Sequence, residues 1–428
     1  MILSRGTLLE SDQTGKVLEE LPGWIAETSA AAPLTPECVI SACDILSRRV
    51  RAGEYDALVR TLIADNIVTQ AQVEQATLFF RKETLEYKLK TELSAERFPV
   101  RDTPPGSHFV VERRLAPLGV LLHISAGNVD ALPAYSVVEG LLTGNINLLK
   151  LPQADAGLSL LLLKALTEIE PMLIPYIYVV DTPSSDVETM CGLAALADGI
   201  VVWGGDEATA AARRLAPLNA KVIEWGHKLS FAYAATEASD EALAGLARQI
   251  ASTKQLLCSS CQGVFVDTDS METLYQFCER FTPILDREAQ AFPPPDIGLQ
   301  AKITLLQYTE QLERRHGKRL FPGTHTSITA SEDSTLEMSL TCGNCWVKRL
   351  PRGKIIEILR PYKGYLQTAG LLCASADWKP LSEILRRAGV CRIRTGEHMS
   401  LPMAGEAHDG EFALRRYTKI IETELPNE

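Results

Sequence analysis

The sequence contains no apolar run long enough to cross a bilayer. The densest run, LSLLLL at 158–163, ends at Lys164, whereas a membrane-spanning helix needs about 20 apolar residues. The N-terminal stretch MILSRGTLLESDQTG also has no apolar core of the length found in secretory signal peptides. We therefore expect a cytoplasmic protein with no integral membrane span.

The sequence also has no excess of basic residues over acidic ones. The chain has 43 Lys and Arg against 54 Asp and Glu, and its net charge is −11. An acidic chain with scattered basic residues repels nucleic-acid phosphates, so we expect no nucleic-acid partner. Internal repeats, low-complexity segments and the Gly-x-Gly-x-x-Gly fingerprint of dinucleotide-binding folds are also missing.

The length and the hydrophobic patterning predict an α/β protein of two or three domains. At 428 residues the chain exceeds one ordinary core. Residues 35–95 have helical periodicity, 102–108 and 284–298 have loop composition, and 415–425 resembles a terminal strand. Short apolar runs alternate with amphipathic stretches at 119–126, 146–151, 177–181, 199–205 and 221–225. That alternation is typical of βαβ units that build a doubly wound parallel sheet, in which ligands bind at the carboxyl ends of the strands.

Two C-x-x-C pairs, Cys258/Cys261 and Cys342/Cys345, leave several chemistries open. Four thiolates bind zinc tetrahedrally, although structural zinc sites usually keep their pairs closer together in sequence. A redox pair normally lies in a small redox domain, and most unpaired cysteines are simply buried. Alternatively, Cys258 lies in a turn between a helix and a buried strand, where a thiolate attacks a carbonyl if nearby donors lower its pKa.

Four stretches that follow one another along the chain favour the nucleophile among these interpretations of the cysteines. They are PLGVLLHISAGNVDALPAYSVVEGLLTGNINLLKLP (117–152), VVWGGDEA (201–208), VIEWGHKLS (222–230) and QLLCSSCQGVFV (255–266). Together they resemble the aldehyde dehydrogenase superfamily and, within it, the acyl-CoA reductases typified by the fatty acid reductase of bacterial bioluminescence. A weaker match, GEFALRRYTKIIE (410–422), is similar to the closing strand of that family.

The resemblance assigns the catalytic residues. Cys258 falls on the family's nucleophile, Asn128 on its oxyanion-hole residue and Glu224 on its general base. The separation of 34 residues between Glu224 and Cys258 is usual in the family. In this alignment Cys261 is a neighbour of the nucleophile, and no metal site is expected.

The resemblance also assigns the cofactor site, although the family reaches its cofactor without the Gly-x-Gly-x-x-Gly fingerprint. Its expected residues are Lys150, Gln153, Gly204, Gly205, Trp225 and Gly226. Gln153 is neutral where a carboxylate normally pairs with the ribose 2′-hydroxyl, which relieves repulsion of a 2′-phosphate. We therefore expect NADPH as the cofactor, with NADH as the alternative.

The function that this resemblance implies is NAD(P)H-dependent reduction of a fatty acyl thioester to an aldehyde through an acyl-cysteine. The alternatives are an aldehyde dehydrogenase working in the oxidative direction and, in another class, a zinc-stabilised binding scaffold. Acyl-CoA, an acylated carrier protein or an acylated partner enzyme is the expected donor, and a homo-oligomer is expected. The expected domains are a cofactor domain with N-terminal helices (1–226), a catalytic domain (227–400) and a segment returning to the cofactor domain or to an oligomer sheet (401–428).

Overall fold

The structure, a computed structural model, describes residues 1–54, 57–65, 67, 69–93, 99–125, 131–152, 157–312 and 317–426. The helices are α1 (Thr14–Ala30), α2 (Pro36–Arg51), α3 (Ala57–Ala64), α4 (Gln70–Ala76), α5 (Lys82–Leu93), α6 (Leu132–Leu142), α7 (Leu158–Ile169), α8 (Val187–Ala195), α9 (Asp206–Leu215), α10 (Asp240–Thr253), α11 (Met271–Ala289), α12 (Ile297–Leu312), α13 (Ile355–Leu359), α14 (Ser375–Ala388) and α15 (Ala413–Arg416). The strands are β1 (Ile2–Ser4), β2 (Thr7–Leu9), β3 (Val100–Asp102), β4 (Val110–Pro117), β5 (Val120–Ile124), β6 (Ile146–Lys150), β7 (Ile177–Val180), β8 (Gly199–Trp203), β9 (Lys221–Trp225), β10 (Leu229–Ala234), β11 (Cys261–Val266), β12 (Lys318–Pro322), β13 (Ser327–Ser331), β14 (Asn344–Arg349), β15 (Leu366–Leu372), β16 (Arg392–Thr395) and β17 (Thr418–Leu425).

The chain divides into two compact units. The first contains residues 1–226 and 403–428, and the second contains residues 227–402. Each unit has a seven-stranded sheet of its own and its own buried hydrophobic clusters.

The sheet of the first unit has the strand order β2-β1-β7-β6-β5-β8-β9. The five strands β7, β6, β5, β8 and β9 are parallel to one another, while β1 pairs with β7 in the antiparallel direction. Strands β6 and β7 are buried along their whole length because helices cover both faces of a parallel sheet. The apolar run at 158–163 lies in α7, and its leucines are buried against this sheet. The predicted doubly wound sheet is confirmed.

The sheet of the second unit has the strand order β12-β13-β14-β11-β10-β15-β16. All neighbouring pairs are parallel except β12 and β13. Strand β11 follows the predicted nucleophile and pairs with β14, which contains Cys345 of the second C-x-x-C pair. Gly263 in β11 leaves room for the Trp346 indole, because a Cβ there would come within 2.1 Å of that ring.

A separate three-stranded antiparallel sheet has the order β17-β4-β3. Strand β17 pairs with β4 from Thr418 opposite Pro117 to Leu425 opposite Val110. The predicted terminal strand at 415–425 is therefore confirmed from Thr418 onward, and the residues just before it form α15.

One local prediction is wrong. The expected surface loop at 284–298 is helical over its first six residues, because α11 continues to Ala289 and buries Ile284 and Leu285. Helix α12 also begins within the expected loop, at Ile297. No helix within the described residues combines the length and the apolarity needed to span a bilayer.

Candidate active site

The turn at residues 254–260, here called the nucleophile turn, contains Cys258 and joins α10 to β11. Helix α10 starts after Ser239, whose hydroxyl accepts the Ala242 N–H as an N-cap, and it ends where Lys254 adopts a left-handed backbone. Gln255 follows with a φ of 60°, also left-handed. Two consecutive non-glycine residues in this region store strain, which is common at functional sites.

The backbone of Cys258 is anchored to the centre of the sheet. The Ser230 hydroxyl of β10 donates to the Cys258 carbonyl at 2.6 Å, and its oxygen accepts the Thr368 N–H of β15 at 3.1 Å. Ser230 is fully buried. Ser230 is the last residue of the VIEWGHKLS stretch. A residue of this motif therefore holds the backbone of Cys258, which belongs to the QLLCSSCQGVFV motif.

A second turn, residues 339–344, packs against the nucleophile turn. The Cys342 N–H donates to the Lys254 carbonyl at 3.1 Å, and the Gly343 N–H donates to the Gln255 side-chain oxygen at 3.0 Å. Thr341 and Cys342 also have positive φ values, 67° and 49°. Four non-glycine residues in a strained backbone conformation therefore lie in two adjoining turns.

Two buried glutamines connect the turns to each other. The Gln255 amide donates to the Cys261 carbonyl at 3.0 Å, and the Gln262 amide donates to the Gln255 carbonyl at 3.0 Å. The Gln262 side-chain oxygen accepts the Ser339 hydroxyl at 2.8 Å. A buried network with its polar groups paired holds one geometry, which is the preorganisation that a covalent catalyst needs.

Burial distinguishes the members of the C-x-x-C pairs. Cys261 and Cys345 lie in strands and are buried, whereas Cys258 and Cys342 lie in the turns and are partly exposed. Burial raises the pKa of Cys261 far above its ordinary value and that of Cys345 to about 12, which keeps both thiols protonated at neutral pH.

Within the described residues, no group of three or more His, Cys, Asp or Glu side chains has an arrangement that could hold a metal ion. All ten cysteines are thiols.

Lys150 ends β6 at the carboxyl edge of the first unit's sheet. Lys150 is buried, and its ammonium donates to the Ser184 hydroxyl at 3.0 Å. Burial lowers the pKa of Lys150, and the nearby Asp181 carboxylate opposes that shift. Asp181 directly follows β7, the neighbour of β6, and its carboxylate also pairs with the Met1 ammonium at 3.3 Å.

The Gly204–Gly205 turn lies farther along the same edge, between β8 and α9. A Cβ on Gly204 would come within 2.9 Å of the Ala208 Cβ, so this position needs glycine, while a Cβ on Gly205 would meet open space. Gly205 is the N-cap of α9, and the amino end of this helix attracts phosphate. Asp206 and Glu207 in the first turn reduce that attraction.

The Trp225 indole lies inside the first unit, and its residue is only 3% exposed. It packs against the rings of Trp203 and His408, with centroids 5.5 and 5.2 Å away, and the Arg416 guanidinium lies 5.1 Å from it. The Trp225 carbonyl accepts the Gly204 N–H at 3.2 Å, so the indole is packed inside the unit and the carbonyl is already paired. A Cβ on Gly226 would have only the Thr209 hydroxyl nearby, at 4.0 Å.

Glu224, the predicted base, lies in the edge strand β9 and forms a bidentate ion pair with Arg213 of α9. Arg213 Nε donates to the Glu224 Oε1, and Arg213 Nη2 donates to the Glu224 Oε2 at 2.7 Å. Both carboxylate oxygens of Glu224 therefore already accept hydrogen bonds from one guanidinium. No sequence motif indicates that Arg213 is the partner of Glu224.

Asn128 and Gln153, the predicted oxyanion-hole residue and ribose contact, lie outside the described residues. Their surroundings are described: β5 leads toward Asn128, α6 begins shortly after it, and Gln153 follows β6 and Lys150. Sequence reasoning also missed Ser230, Gln255, Gln262 and Ser184, since their roles depend on contacts between distant parts of the chain.

Comparison with known proteins agrees with the resemblance in the sequence. The profile of a family described as Acyl-CoA reductase (LuxC) matches residues 41–420. Long-chain acyl-protein thioester reductase from Vibrio harveyi is 27% identical over 364 residues, which cover 82% of this chain and 73% of that protein. Long-chain acyl-protein thioester reductase 2 from Photobacterium leiognathi is 23% identical over 345 residues, covering 79% of this chain and 70% of that protein.

Solved structures confirm the fold. NADP-dependent glyceraldehyde-3-phosphate dehydrogenase from Bacillus halodurans C-125 matches with a TM-score of 0.69 at 18% identity, covering 99% of this chain and 98% of that one. Bifunctional proline utilization A matches with a TM-score of 0.69 at 17% identity, and this chain spans only 45% of that longer protein. At such identities the likeness shows an aldehyde dehydrogenase-like fold and nothing further.

Proposed function

Because the family match covers most of the chain, the protein belongs to the acyl-CoA reductase (LuxC) family, and we propose that it reduces a long-chain acyl thioester to an aldehyde through Cys258. It is an oxidoreductase that acts on acyl groups and uses a nicotinamide cofactor. The observation that best supports Cys258 is the nucleophile turn, whose backbone is fixed by Ser230 and by the adjoining strained turn.

The proposed reaction has two halves. The Cys258 thiolate attacks the carbonyl carbon of the donor thioester, the bond from that carbon to the donor sulfur breaks, and the donor leaves as a thiol. Reduction of the resulting acyl-cysteine gives a thiohemiacetal, whose carbon–sulfur bond breaks to release the aldehyde and regenerate the thiol. We assign the Asn128 amide and the Cys258 N–H to the developing oxyanion.

Six of the other cysteines are weaker candidates for the nucleophile. Burial raises the pKa of Cys38, Cys43, Cys278 and Cys373 in addition to that of the two strand cysteines. A thiol whose pKa is raised forms little thiolate at neutral pH. Cys342 has an exposure similar to that of Cys258, which makes it the natural control.

We propose NADPH as the cofactor, bound at the carboxyl edge of the first unit's sheet. The residues present fit a dinucleotide: Lys150 for a ribose or its phosphate, and Gly204 and Gly205 for close approach of the pyrophosphate. The cofactor supplies the hydride when bound. Gln153 supports a 2′-phosphate, whereas the Asp181 carboxylate near Lys150 opposes it.

The Arg213–Glu224 ion pair supports reduction over hydrolysis. General-base help is worth about 10²–10⁴-fold in the step that uses it. Because both Glu224 oxygens accept hydrogen bonds from Arg213, neither is placed to take a proton from water while the pair is formed, so an acyl-cysteine would survive long enough to be reduced.

The donor and the assembly are also proposed. The relatives from Vibrio harveyi and Photobacterium leiognathi are named for acyl-protein thioesters, and we propose a thioester donor carried by CoA or by a protein. We further propose that residues 1–226 bind the cofactor, that residues 227–400 perform the acyl chemistry, and that the protein is a cytoplasmic homo-oligomer.

Mass spectrometry of the protein incubated with acyl-CoA and no reductant tests this function. We expect one acyl adduct, on Cys258, that disappears when NADPH is added as aldehyde forms. Cys258→Ala should lose the adduct and lower reduction by orders of magnitude, while Cys261→Ala and Cys342→Ala should retain both. An adduct on Cys342 or full reduction by Cys258→Ala would refute the assignment, and oxidation of aldehyde without acyl-CoA reduction would refute the direction.

A further inference from the structure

A cavity of about 440 Å³ lies in the second unit and is lined in part by Lys254, the first residue of the nucleophile turn. Its walls are the end of α11, the Pro293–Pro295 segment, one side of α12, the loop between β12 and β13, and the turn that contains Cys342. The volume is within the range of small-molecule sites in proteins.

The lining of the cavity is both apolar and hydrogen-bonding. Phe292, the three prolines and Ile303 provide apolar surface, while other lining side chains are amides or hydroxyls, among them Gln300 and Thr304. None of the described lining residues is acidic, and Lys254 and His325 are the basic ones among them. The Gln300 amide donates to the Pro295 carbonyl at 2.7 Å, and the Thr304 hydroxyl donates to the Gln300 carbonyl at 2.9 Å. An amide oxygen and a hydroxyl oxygen can each also accept a hydrogen bond, so these side chains can receive the N–H and O–H groups of a polar ligand.

The wall of the cavity is physically connected to the nucleophile turn. Lys254 and Cys342, which both line the cavity, are joined by the hydrogen bond between the Cys342 N–H and the Lys254 carbonyl. From α12, the Gln307 amide donates to the Asn344 side-chain oxygen at 2.9 Å, and the Asn344 amide donates to the Thr341 carbonyl at 2.9 Å.

We propose that this cavity binds the pantetheine arm of the acyl donor, an inference that rests on the proposed function. A pantetheine arm has two amides, a hydroxyl and a branched aliphatic segment, which match the mixed lining. It ends in the thioester that must reach Cys258, four residues beyond Lys254. CoA and acylated carrier proteins share this arm, whereas an acyl group on a protein side chain lacks it.

Two threonines on α12 provide a matched test. The hydroxyls of Thr304 and Thr309 donate to the carbonyls four residues earlier, at 2.9 and 3.0 Å. Both residues are exposed, but only Thr304 lines the cavity. Thr304→Phe should therefore fill the cavity, and Thr309→Phe adds the same bulk to the same helix away from it.

The experiment measures kcat/KM for reduction of one dodecanoyl group presented on CoA, on a carrier protein, on pantetheine and on ethanethiol. We expect Thr304→Phe to lower the values for the three pantetheine donors at least about tenfold, the effect of losing one or two hydrogen bonds. The ethanethiol ester should change less than about twofold. Thr309→Phe should change none of the four values.

Each alternative outcome is informative. Equal loss for the ethanethiol ester would show that the cavity holds the acyl chain or supports the fold, and unchanged values in Thr304→Phe would show that the arm binds elsewhere; both overturn the inference. A loss for only the CoA or only the carrier-protein donor, with no loss for acyl-pantetheine, would also overturn it. In the wild type, the donor with the higher kcat/KM identifies the source of the arm. Absence of any adduct on Cys258 from the ethanethiol ester would instead refute the proposed function itself.

Discussion

At the scale of single residues, Ser230 is the contact that most directly positions the nucleophile. Its hydroxyl satisfies both the Cys258 carbonyl and the Thr368 N–H in a buried setting. Removing the hydroxyl leaves the Cys258 carbonyl and the Thr368 N–H without this hydrogen-bond partner, which costs about 1–3 kcal/mol of stability for each group. We expect Ser230→Ala to lower the rate of Cys258 acylation about tenfold or more, with KM for the donor little changed, and Ser230→Thr to restore most of the rate.

A matched control separates positioning from general destabilisation. Ser159 in α7 is fully buried, and its hydroxyl has no hydrogen-bond partner among the described residues. Ser159→Ala should leave acylation unchanged. The measurement is the single-turnover rate of adduct formation, together with urea unfolding of both variants. A normal rate in Ser230→Ala would show that the turn holds Cys258 without this hydroxyl.

The sequence motifs indicate candidate site residues, but they do not indicate the hydrogen-bond partners of those residues. Cys258, Lys150 and Glu224 follow from short stretches whose order and spacing resemble a family. Ser230 is 28 residues from Cys258, and Gln262 is 77 residues from Ser339. Hydrogen bonds over such separations depend on the packing of the sheet, which has no local pattern in the sequence.

At the scale of helices and strands, the sequence predicted elements with strong periodicity and missed those without it. Strands β5 to β9 are short apolar runs bounded by turn residues, and each was predicted. Helix α12 was missed because its only buried apolar side chain among the described residues is Ile303 and the PPP segment before it indicates a loop.

A buried ion cluster joins two helices of the first unit. The Lys88 ammonium of α5 lies 2.8 Å from Glu139 of α6 and also pairs with Glu92, and all three side chains are buried. Burial raises the pKa of Glu139, and Lys88 opposes that rise. Glu92 in turn accepts the Leu414 N–H of α15 at 2.9 Å, so the cluster also fixes the C-terminal segment.

We predict that Lys88→Met destabilises the first unit by about 3–5 kcal/mol, because it leaves two buried carboxylates without their cation. Without Lys88 the pKa of Glu139 rises further above its unfolded value, so the neutral acid is favoured in the folded state. Such a group stabilises the fold fully below the unfolded pKa of about 4.3, and this stability is lost as the pH rises through the folded pKa. The deficit of Lys88→Met should therefore be larger at pH 8 than at pH 5.

Urea unfolding at the two pH values checks this, with Lys164→Met as the control. Lys164 also pairs with a glutamate four residues later, Glu168, but that carboxylate is 57% exposed. Exposed pairs of this kind contribute about 0.3–0.5 kcal/mol. Equal deficits in the two variants, or a Lys88→Met deficit that shrinks as the pH rises, would show that the cluster does not stabilise the fold as proposed.

At the scale of the whole molecule, the described residues form two units with separate cores, and the proposed chemistry is divided between them. Lys150, Gly204 and Gly205 belong to the first unit, whereas Cys258 and its supporting turn belong to the second. A ligand that binds one folded unit stabilises that unit by mass action, by about 2.7 kcal/mol when it is present at 100 times its Kd. The two ligands should therefore protect different segments.

Hydrogen exchange of the intact protein measures this division. We expect saturating NADPH to slow exchange of β6, β8 and the first turn of α9, by up to about 100-fold where exchange requires unfolding of the unit. Dodecanoyl-CoA without NADPH should slow exchange in residues 254–262 and 339–344, and Cys258→Ala should reduce that effect because no covalent adduct forms.

NADH at the same multiple of its Kd should protect the same first-unit segments as NADPH, since both occupy one site. Gln153→Glu should raise the Kd of NADPH about tenfold and that of NADH less. Protection by NADPH confined to residues 227–402 would place the cofactor outside the first unit and contradict the assignment of Lys150 and Gly205.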